Sequence, residues 1–256
     1  RRAGSGRASC GVGAISRKLA SVWAIPGHIE TLARAVGELE PSALSARIAV
    51  LEPLVTEARL ARMRKVIDQR VGSVTVLMDS LHDPHNGAAI IRSSDAFGLA
   101  RVHVIERRES FLTARTVARG SERWVDVSTH KNGTTAAAAL RGAGFELHST
   151  HPEDELEPEE LAEMRTPFAL VLGNERYGIA EDLRAHTRCT VKVPMRGYAE
   201  SLNVSVTAAI LLYAAMRGRP GDLADRDRDR LLLRGLIQTI PRAREVLDAR
   251  NLPTSW

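Results

Sequence analysis

The sequence predicts an α/β fold in which helices cover both faces of a mostly parallel sheet, with helical extensions at both ends. Short β-branched runs alternate with helical stretches through the middle of the chain, a pattern typical of strand–helix–strand units. The most apolar run, Phe168–Leu172, contains no polar residue, as expected for a strand that is buried on both faces. No apolar stretch reaches the roughly 18 residues that a transmembrane helix needs, which excludes such a helix.

Six strands are predicted along the chain. They cover Val74–Met78, Val102–Ile105, Trp124–Val127, Phe145–Thr150, Phe168–Leu172 and Thr190–Val193. Between and after them, the apolar spacing predicts helices that glycine ends, at Ala88–Phe97, Ala136–Leu140 and Ser201–Met216. Strands joined by helices in this way pair in parallel, because the crossover helix returns the chain to the same edge of the sheet.

We divide the chain into a basic flexible tail, a helical extension, an α/β domain and a second helical extension, at residues 1–25, 26–70, 71–218 and 219–256. The tail is rich in glycine, serine, alanine and arginine, a composition too polar to form a core. The first extension has apolar residues at helical spacing and becomes basic before the first strand. The last part is amphipathic, which predicts either a docked helix pair or a surface for a partner.

Arginine dominates the charge of the chain. The sequence has 36 basic and 31 acidic residues, a net charge of +5, and only four of the bases are lysines. A GC-rich genome would produce this bias, and phosphate recognition would use it, because a planar guanidinium matches phosphate oxygens. Seven acids and no base lie between residues 151 and 163, which we interpret as a solvated loop. Aromatic residues make up 4% of the chain, too few for an extended stacking platform for single-stranded nucleic acid.

Several classes of site are excluded by missing motifs. The chain has no GxGxxG after its first strand, no GxxxxGK[ST], no GxSxG and no HExxH, so dinucleotide, P-loop and hydrolase sites have no support. Its two cysteines, Cys10 and Cys189, form neither a disulfide framework nor a zinc motif. Ligands of open parallel sheets bind outside the carboxyl ends of the strands, so the loops that follow strands remain as candidates.

Three such loops carry polar side chains. The first leads into a helix in which Asn86 is a candidate cap and Arg92 stands among apolar neighbours. Such an arginine is either paired internally or faces a ligand, and the residues alone favour internal pairing. The second loop, Gly173–Gly178, begins with a glycine that permits close approach of a ligand. The third opens the long helix with Ser201 and Asn203, beside free N–H groups that suit an anion or a polar ligand.

Taken together, the three loops resemble a known family. The segments PHNGAAIIRSSDAFG, LVLGNERYG and VPMRGYAESLNVSVTAAILLYAAMR are similar, in this order, to the three signature motifs of the SPOUT-class RNA 2′-O-ribose methyltransferases. The similarity spans about residues 60–220, includes the GSERWV stretch at 120–125, and is greatest to the TrmH-type enzymes that modify a tRNA guanosine. A related group that modifies ribosomal RNA carries a compact α/β RNA-binding domain in front, whereas the leader here is helical.

The resemblance implies a C-terminal trefoil knot, an exception to the rule that protein chains are not threaded. It implies S-adenosylmethionine (S-adenosyl-L-methionine) as the cofactor, held in the knot largely by backbone groups, and no metal ion. Carried over position by position, the cofactor pocket comprises Thr150, Leu172, Gly173, Val193, Met195, Gly197 and Leu202. The resemblance also implies an obligate homodimer with its active site at the interface, and a cytoplasmic protein without a membrane partner.

The family assigns catalysis to the equivalent of Arg92. The side chains that would orient Arg92 and the ribose are Asn86, Glu175 and Asn203. The reaction moves a methyl group from a sulfonium to a ribose 2′-oxygen, which must lose its proton. Because arginine normally holds its own proton, two roles stay open. Arg92 either loses a proton in a special environment or remains a cation that stabilises the developing alkoxide.

Candidate RNA contacts are basic residues just before the first strand and just after the long helix, namely Arg62, Arg64, Lys65, Arg217 and Arg219. The expected reaction is methylation of a tRNA ribose, by analogy to the family at the D-loop guanosine 18. Two alternatives remain: a ribosomal RNA target, and a catalytically silent RNA-binding protein on the same scaffold. The silent alternative is disfavoured by the intact set of Asn86, Arg92, Glu175 and Asn203.

Overall fold

The computed structural model of the chain describes residues 31–107, 124–150 and 156–252. The predicted basic tail lies outside the described residues, and so do residues 151–155 of the acidic stretch and most of the GSERWV segment. In the described parts the sheet has six strands, and all neighbouring strands run parallel. The predicted fold class is therefore confirmed.

The strands are β1 (Val74–Asp79), β2 (Arg101–Ile105), β3 (Asp126–His130), β4 (Glu146–Thr150), β5 (Phe168–Leu172) and β6 (Cys189–Val191). Their order across the sheet is β3-β2-β1-β5-β4-β6. The central strands β1 and β5 are in register from Val74 beside Phe168 to Met78 beside Leu172. This order sets the carboxyl ends of β1, β5 and β4 side by side, so that loops far apart in the chain meet at one edge.

The helices of the described residues are α1 (Thr31–Glu38), α2 (Pro41–Leu51), α3 (Glu57–Asp68), α4 (Pro84–Ala96), α5 (Gly133–Gly142), α6 (Glu181–Arg184), α7 (Val204–Met216), α8 (Asp225–Thr239) and α9 (Ala243–Asp248). Short 3-10 turns occupy Glu52–Leu54 and Pro158–Ala162. None of these helices is both long and apolar enough to cross a membrane.

Helix α4 begins at Pro84, four residues before the predicted start at Ala88. The carboxylate of Asp83 accepts a hydrogen bond from the backbone N–H of His85 at 2.8 Å, and the proline that follows Asp83 has no N–H to leave unpaired. The interpretation of Asn86 as the helix cap is therefore wrong. Asn86 lies in the first turn of α4, where its amide is available for other contacts.

Strand β3 begins two residues later than predicted, because Trp124 packs against a helix and does not pair with β2. Asp126, the first residue of β3, pairs in register with Arg101 of β2. The ring of Trp124 instead packs against α8, where a Cβ built on Gly235 would lie 3.1 Å from it. A contact between residues more than a hundred positions apart has overridden the local strand pattern.

Apolar side chains fill both faces of the sheet. The face covered by α4 and α7 buries Val76, Ile90 and Leu211. The opposite face, covered by α5 and α6, buries Leu140 and Leu183. Both layers are close-packed around the central strands, which gives the loops at the carboxyl edge a rigid base. The trefoil knot implied by the resemblance is not tested by the strand order and stays a prediction.

The two helical extensions pack against each other. Their leucines form one buried cluster to which α2, α8 and α9 contribute, including Leu44, Leu51, Leu233, Leu236 and Leu247. The end of the chain is thus a docked helix pair, one of the two outcomes that its amphipathic pattern predicts. An ion pair between Arg234 of α8 and Asp126 of β3 ties this cluster to the sheet.

Candidate active site

A cavity of about 880 Å³ opens at the carboxyl edge of the sheet, between the ends of β4 and β5 and the start of α7. This is the edge at which open parallel sheets bind their ligands. Of the side chains and glycines that the sequence places at the cofactor, those that line the cavity are Thr150, Gly173, Val193, Met195 and Leu202.

Two predicted cofactor residues do not line the cavity. The side chain of Leu172 is fully buried in the core beneath the sheet edge, which leaves only its backbone for a ligand. Gly197 is not among the lining residues, and a Cβ added to it would meet no atom of the described residues within 4 Å. Because the expected contacts with the cofactor are largely made by backbone groups, the assignment of these two residues stays a prediction.

The cavity also has lining residues that the sequence analysis missed, among them Ser149, Arg184, Thr187 and Thr207. Thr207 could have been found, because it follows Asn203 by one helical turn on the same face of α7. Arg184, the last residue of α6, and Thr187, just after it, had no such signal, since it is the fold that brings this segment to the cavity. Within the described residues, no group of three or more His, Cys, Asp or Glu side chains could hold a metal ion.

Gly173 is required by the turn that follows β5. A Cβ at this position would lie 2.6 Å from the carbonyl carbon of Gly178 and 2.7 Å from the backbone nitrogen of Ile179. Two backbone hydrogen bonds hold that turn closed, from Asn174 to Gly178 at 2.9 Å and from Gly178 to Asn174 at 2.8 Å. Any side chain at Gly173 would therefore push apart backbone atoms that cannot easily move.

Three of the four predicted catalytic residues form one hydrogen-bonded chain. The Nδ2 of Asn86 donates to Oε1 of Glu175 at 2.7 Å. The Nδ2 of Asn203 donates to Oδ1 of Asn86 at 3.0 Å. Asn203 also caps α7, accepting from the backbone N–H of Ser205 at 2.8 Å, and for this reason the helix begins later than predicted. This chain, the Glu175–Asn86–Asn203 cluster, links all three candidate loops.

Glu175 is held as a carboxylate. Partial burial would raise its pKa, but hydrogen bonds from the Asn86 amide and from the backbone N–H groups of His82 and Asp83 lower the pKa below its usual value. An ionised Glu175 accepts these donors and fixes which way the Asn86 amide points. The orientations of the Asn86 and Asn203 amides at the rim of the cavity are therefore fixed by their hydrogen bonds.

Arg92 lies apart from the cluster. It is on α4 six residues after Asn86, about 9 Å farther along the helix axis, and its side chain is exposed. Among the described residues it has no hydrogen-bond or ion-pair partner, so the internal pairing that the residues alone favoured is not observed. The cluster residues hydrogen-bond to one another and not to Arg92.

Helix α7, which packs against the helix of Arg92, carries exposed apolar side chains. Val206 is 46% exposed and Tyr213 is 62% exposed. The ring of Tyr213 meets that of Phe97, just after α4, edge to face at 6.1 Å. α4 and α7 pack together, so this apolar strip lies on the helix that neighbours the one carrying Arg92.

The predicted RNA-binding residues fall into two groups. Arg62, Arg64, Lys65 and Arg217 are exposed, although Arg64 forms an ion pair with Glu52. They are available to a phosphate backbone. Their availability does not by itself show RNA binding.

Arg219 is not available in the same way, and its assignment as an RNA contact is corrected. Its guanidinium donates to the carbonyl oxygens of Leu161 at 3.1 Å, Met164 at 2.8 Å and Ala215 at 3.2 Å. It also lies over the ring of Phe168, 5.5 Å from the centroid. Arg219 fastens the end of α7 to the segment before β5, and partial burial lowers its pKa.

Comparison with known proteins agrees with this architecture. Residues 73–213 match the SpoU rRNA Methylase family. The chain is 36% identical over 161 residues to the tRNA (guanosine(18)-2′-O)-methyltransferase of Escherichia coli K12, covering 63% of this chain and 70% of that protein. It is 34% identical to the enzyme of the same name from Thermus thermophilus, over 68% of this chain and 90% of that protein.

Solved structures agree as well. The A. aeolicus TrmH/SpoU tRNA modifying enzyme superposes with a TM-score of 0.61 at 26% identity, over 73% of this chain and 98% of that one. An AdoMet-bound rRNA methyltransferase from Sinorhizobium meliloti superposes with a TM-score of 0.53 at 25% identity, over 61% and 60%. The matched segment contains the cavity, the Glu175–Asn86–Asn203 cluster and Arg92. The chain belongs to the SpoU methylase family.

Proposed function

We propose that this protein transfers a methyl group from S-adenosylmethionine to the ribose 2′-hydroxyl of a tRNA guanosine, at position 18 of the D-loop. The observation that carries the proposal is the Glu175–Asn86–Asn203 cluster, which joins the three family motifs at the rim of one cavity. The named relatives from Escherichia coli and Thermus thermophilus support the choice of tRNA and of the nucleotide. A tRNA substrate also supports the expected cytoplasmic location.

The cavity fits the cofactor. Its volume of about 880 Å³ lies within the range of small-molecule sites. Val193, Met195 and Leu202 offer apolar surface for the adenine, while Gly173 leaves backbone groups without a covering side chain. When bound, S-adenosylmethionine supplies an activated methyl group on a sulfonium. The chain must then place the ribose oxygen in line with that methyl group and stabilise the charge as the hydroxyl proton leaves.

Arg92 is the group proposed to act on the hydroxyl. An exposed guanidinium that no described residue binds is free to approach the 2′-oxygen and an adjacent phosphate. As a cation it stabilises the developing alkoxide, and as a base it takes the proton. The cation role requires no unusual environment, and an Arg92→Lys variant separates the two roles.

A homodimer would complete this site. The strip of Val206 and Tyr213 is exposed apolar surface, which is typical of interfaces between subunits. A partner packed on α7 would lie near the cavity, because Val204 and Thr207 of the same helix line it. The active site would thus include residues from both subunits.

We expect Val206→Asp combined with Tyr213→Asp to convert a dimer into a monomer, because two carboxylates would be buried unpaired at the interface. Light scattering after gel filtration measures the mass. Leu54→Asp, at a site that is 52% exposed outside α7, serves as the control and should stay dimeric. A parent protein that is monomeric at micromolar concentration would refute the dimer.

The salt dependence of RNA binding tests the basic segment of α3. Each phosphate contact adds about 0.7 to 0.9 to the slope of log affinity against log salt. Replacing Arg62, Arg64 and Lys65 together by alanine should therefore lower the slope by about 2 to 3. The matched control replaces the exposed Arg244 and Arg250 near the C-terminus. An unchanged slope in the triple variant would show that this segment does not contact RNA.

The target is tested by incubating the protein with labelled cofactor and with total RNA, then mapping the labelled nucleotide. Label at guanosine 18 of tRNA is the expected result, and a tRNA transcript with adenosine at position 18 should remain unlabelled. Label confined to ribosomal RNA would refute the tRNA assignment and identify a ribosomal RNA methyltransferase, the activity that the family's description names. RNA binding without any transfer would identify a silent RNA-binding protein.

A further inference from the structure

A second cavity, of about 1040 Å³, lies away from the first between α3, α8 and the C-terminal end of α4. Its apolar wall includes Met63, Val66, Trp124 and Leu231. Trp124 packs against the backbone of α8 at Gly235, yet its side chain is only half-buried. Trp124 therefore presents partly exposed surface to the cavity. We call this cavity the Trp124 groove.

The charge around the Trp124 groove is positive. Arg59 and Arg62 line it, are exposed, and have no side-chain partner among the described residues. The lining also contains one acid, Asp95, but this carboxylate is paired with the buried Arg70, which donates as well to the carbonyl of Leu99 at 2.9 Å. The two free guanidinium groups are thus not neutralised from within the groove.

The groove adjoins the catalytic surface. Ala96 of α4 lines it, and Ala96 follows Arg92 by four residues, so both lie on one exposed face of the helix. The distance along the axis is about 6 Å, which corresponds to roughly two nucleotides at the 3.4 Å rise of a stacked strand. An RNA strand that presents a ribose to Arg92 and runs toward the C-terminal end of α4 reaches the groove within about two nucleotides.

We propose that the Trp124 groove holds one unstacked nucleotide of the RNA substrate, close to the ribose that is methylated. The base stacks on Trp124, and the phosphate lies between Arg59 and Arg62. An aromatic face accepts any base by stacking, and guanidinium forks match phosphate oxygens, so this pairing of groups suits a nucleotide. The inference rests on the proposed function, since it takes the substrate to be RNA.

Tryptophan fluorescence tests the proposal directly. The chain has three tryptophans, and replacing Trp23 and Trp256 by phenylalanine leaves Trp124 as the sole emitter. Saturating tRNA should quench this emission, because a stacked base lies against the ring. Heparin, a polyanion without bases, is the control and should leave the emission almost unchanged at the same salt concentration.

Variants of the groove give a second readout. Trp124→Leu should weaken tRNA binding about 5- to 100-fold, while Trp124→Phe keeps an aromatic face and most of the affinity. Val66→Asp, which puts a carboxylate into the groove without touching the tryptophan, should weaken binding too. Ala249→Asp, at an exposed site outside the groove, should not. Cofactor binding, followed by calorimetry, should be unchanged in all four variants.

The two proposals fail in different ways. If the parent protein transfers methyl groups to tRNA but Trp124 emission does not respond to tRNA, or responds equally to heparin, the nucleotide site is refuted and the proposed function stands. If the emission is quenched by tRNA and the variants weaken binding, but no methyl group is transferred, the nucleotide site stands and the proposed function falls.

Discussion

Replacing Arg92 by alanine is expected to lower kcat by about 100- to 1000-fold, the usual effect of removing one preorganised donor from a transition state. Cofactor binding should change little, because Arg92 lies outside the lining of the cofactor cavity, and RNA binding should lose at most one of several phosphate contacts. Stability should change by less than about 0.5 kcal/mol, since the side chain is exposed and no described residue pairs with it. Single-turnover kinetics, calorimetry and thermal unfolding measure the three quantities.

The lysine variant separates the two chemical roles of Arg92. Lysine keeps the positive charge but loses the planar fork, and its pKa is near 10 in water. If the residue acts as a base, Arg92→Lys should regain activity as the pH rises toward about 10. If it acts only as a cation, activity should not recover with pH. An Arg92→Ala protein that turns over tRNA at nearly the parent rate would remove Arg92 from the mechanism.

Replacing Gly173 by valine should abolish binding of S-adenosylmethionine. The cause is a collision within the turn that follows β5. The Cβ would collide with the backbone of Gly178 and Ile179 at 2.6 and 2.7 Å. The turn that carries Glu175 would be displaced, and with it the acceptor of the Asn86 amide.

Calorimetry with the cofactor measures this effect, and even Gly173→Ala should show it because the clash begins at Cβ. Gly142→Ala is the matched control, since a Cβ there meets no atom of the described residues within 4 Å. Far-ultraviolet circular dichroism confirms that the fold is kept. A normal binding isotherm for Gly173→Ala would show that the turn adapts and that the site is less rigid than described.

The sheet could be predicted from the sequence because its strands are buried and β-branched, and this signal is local. The starts of α4 and β3 differ from the prediction because a helix cap and a long-range contact determine them. The start of α4 follows the Asp83–Pro84 pair, a cap with proline at the first helical position, which a closer reading of that dipeptide could have found. The start of β3 depends on Trp124 packing against Gly235, which no local pattern contains.

The candidate site was only partly accessible from the sequence. Asn86, Glu175 and Asn203 were placed together by resemblance, and their contact in the structure results from the pairing of β1 with β5 and the packing of α7 on α4. Arg219, in contrast, was assigned to RNA from its position in the sequence, and the structure binds it within the protein. Nothing local distinguishes an arginine that binds phosphate from one whose donors are taken by the carbonyls of Leu161 and Met164.

Methylation of a tRNA that carries 2′-deoxyguanosine at position 18 tests the central claim most directly. Mass spectrometry of nuclease digests compares this substrate with the ordinary transcript after incubation with protein and S-adenosylmethionine. The account predicts one methyl group on the ribose of guanosine 18 in the ordinary tRNA and none in the deoxy substrate, which lacks the accepting oxygen. Equal methylation of both substrates would place the methyl group elsewhere and contradict ribose 2′-O transfer at this nucleotide.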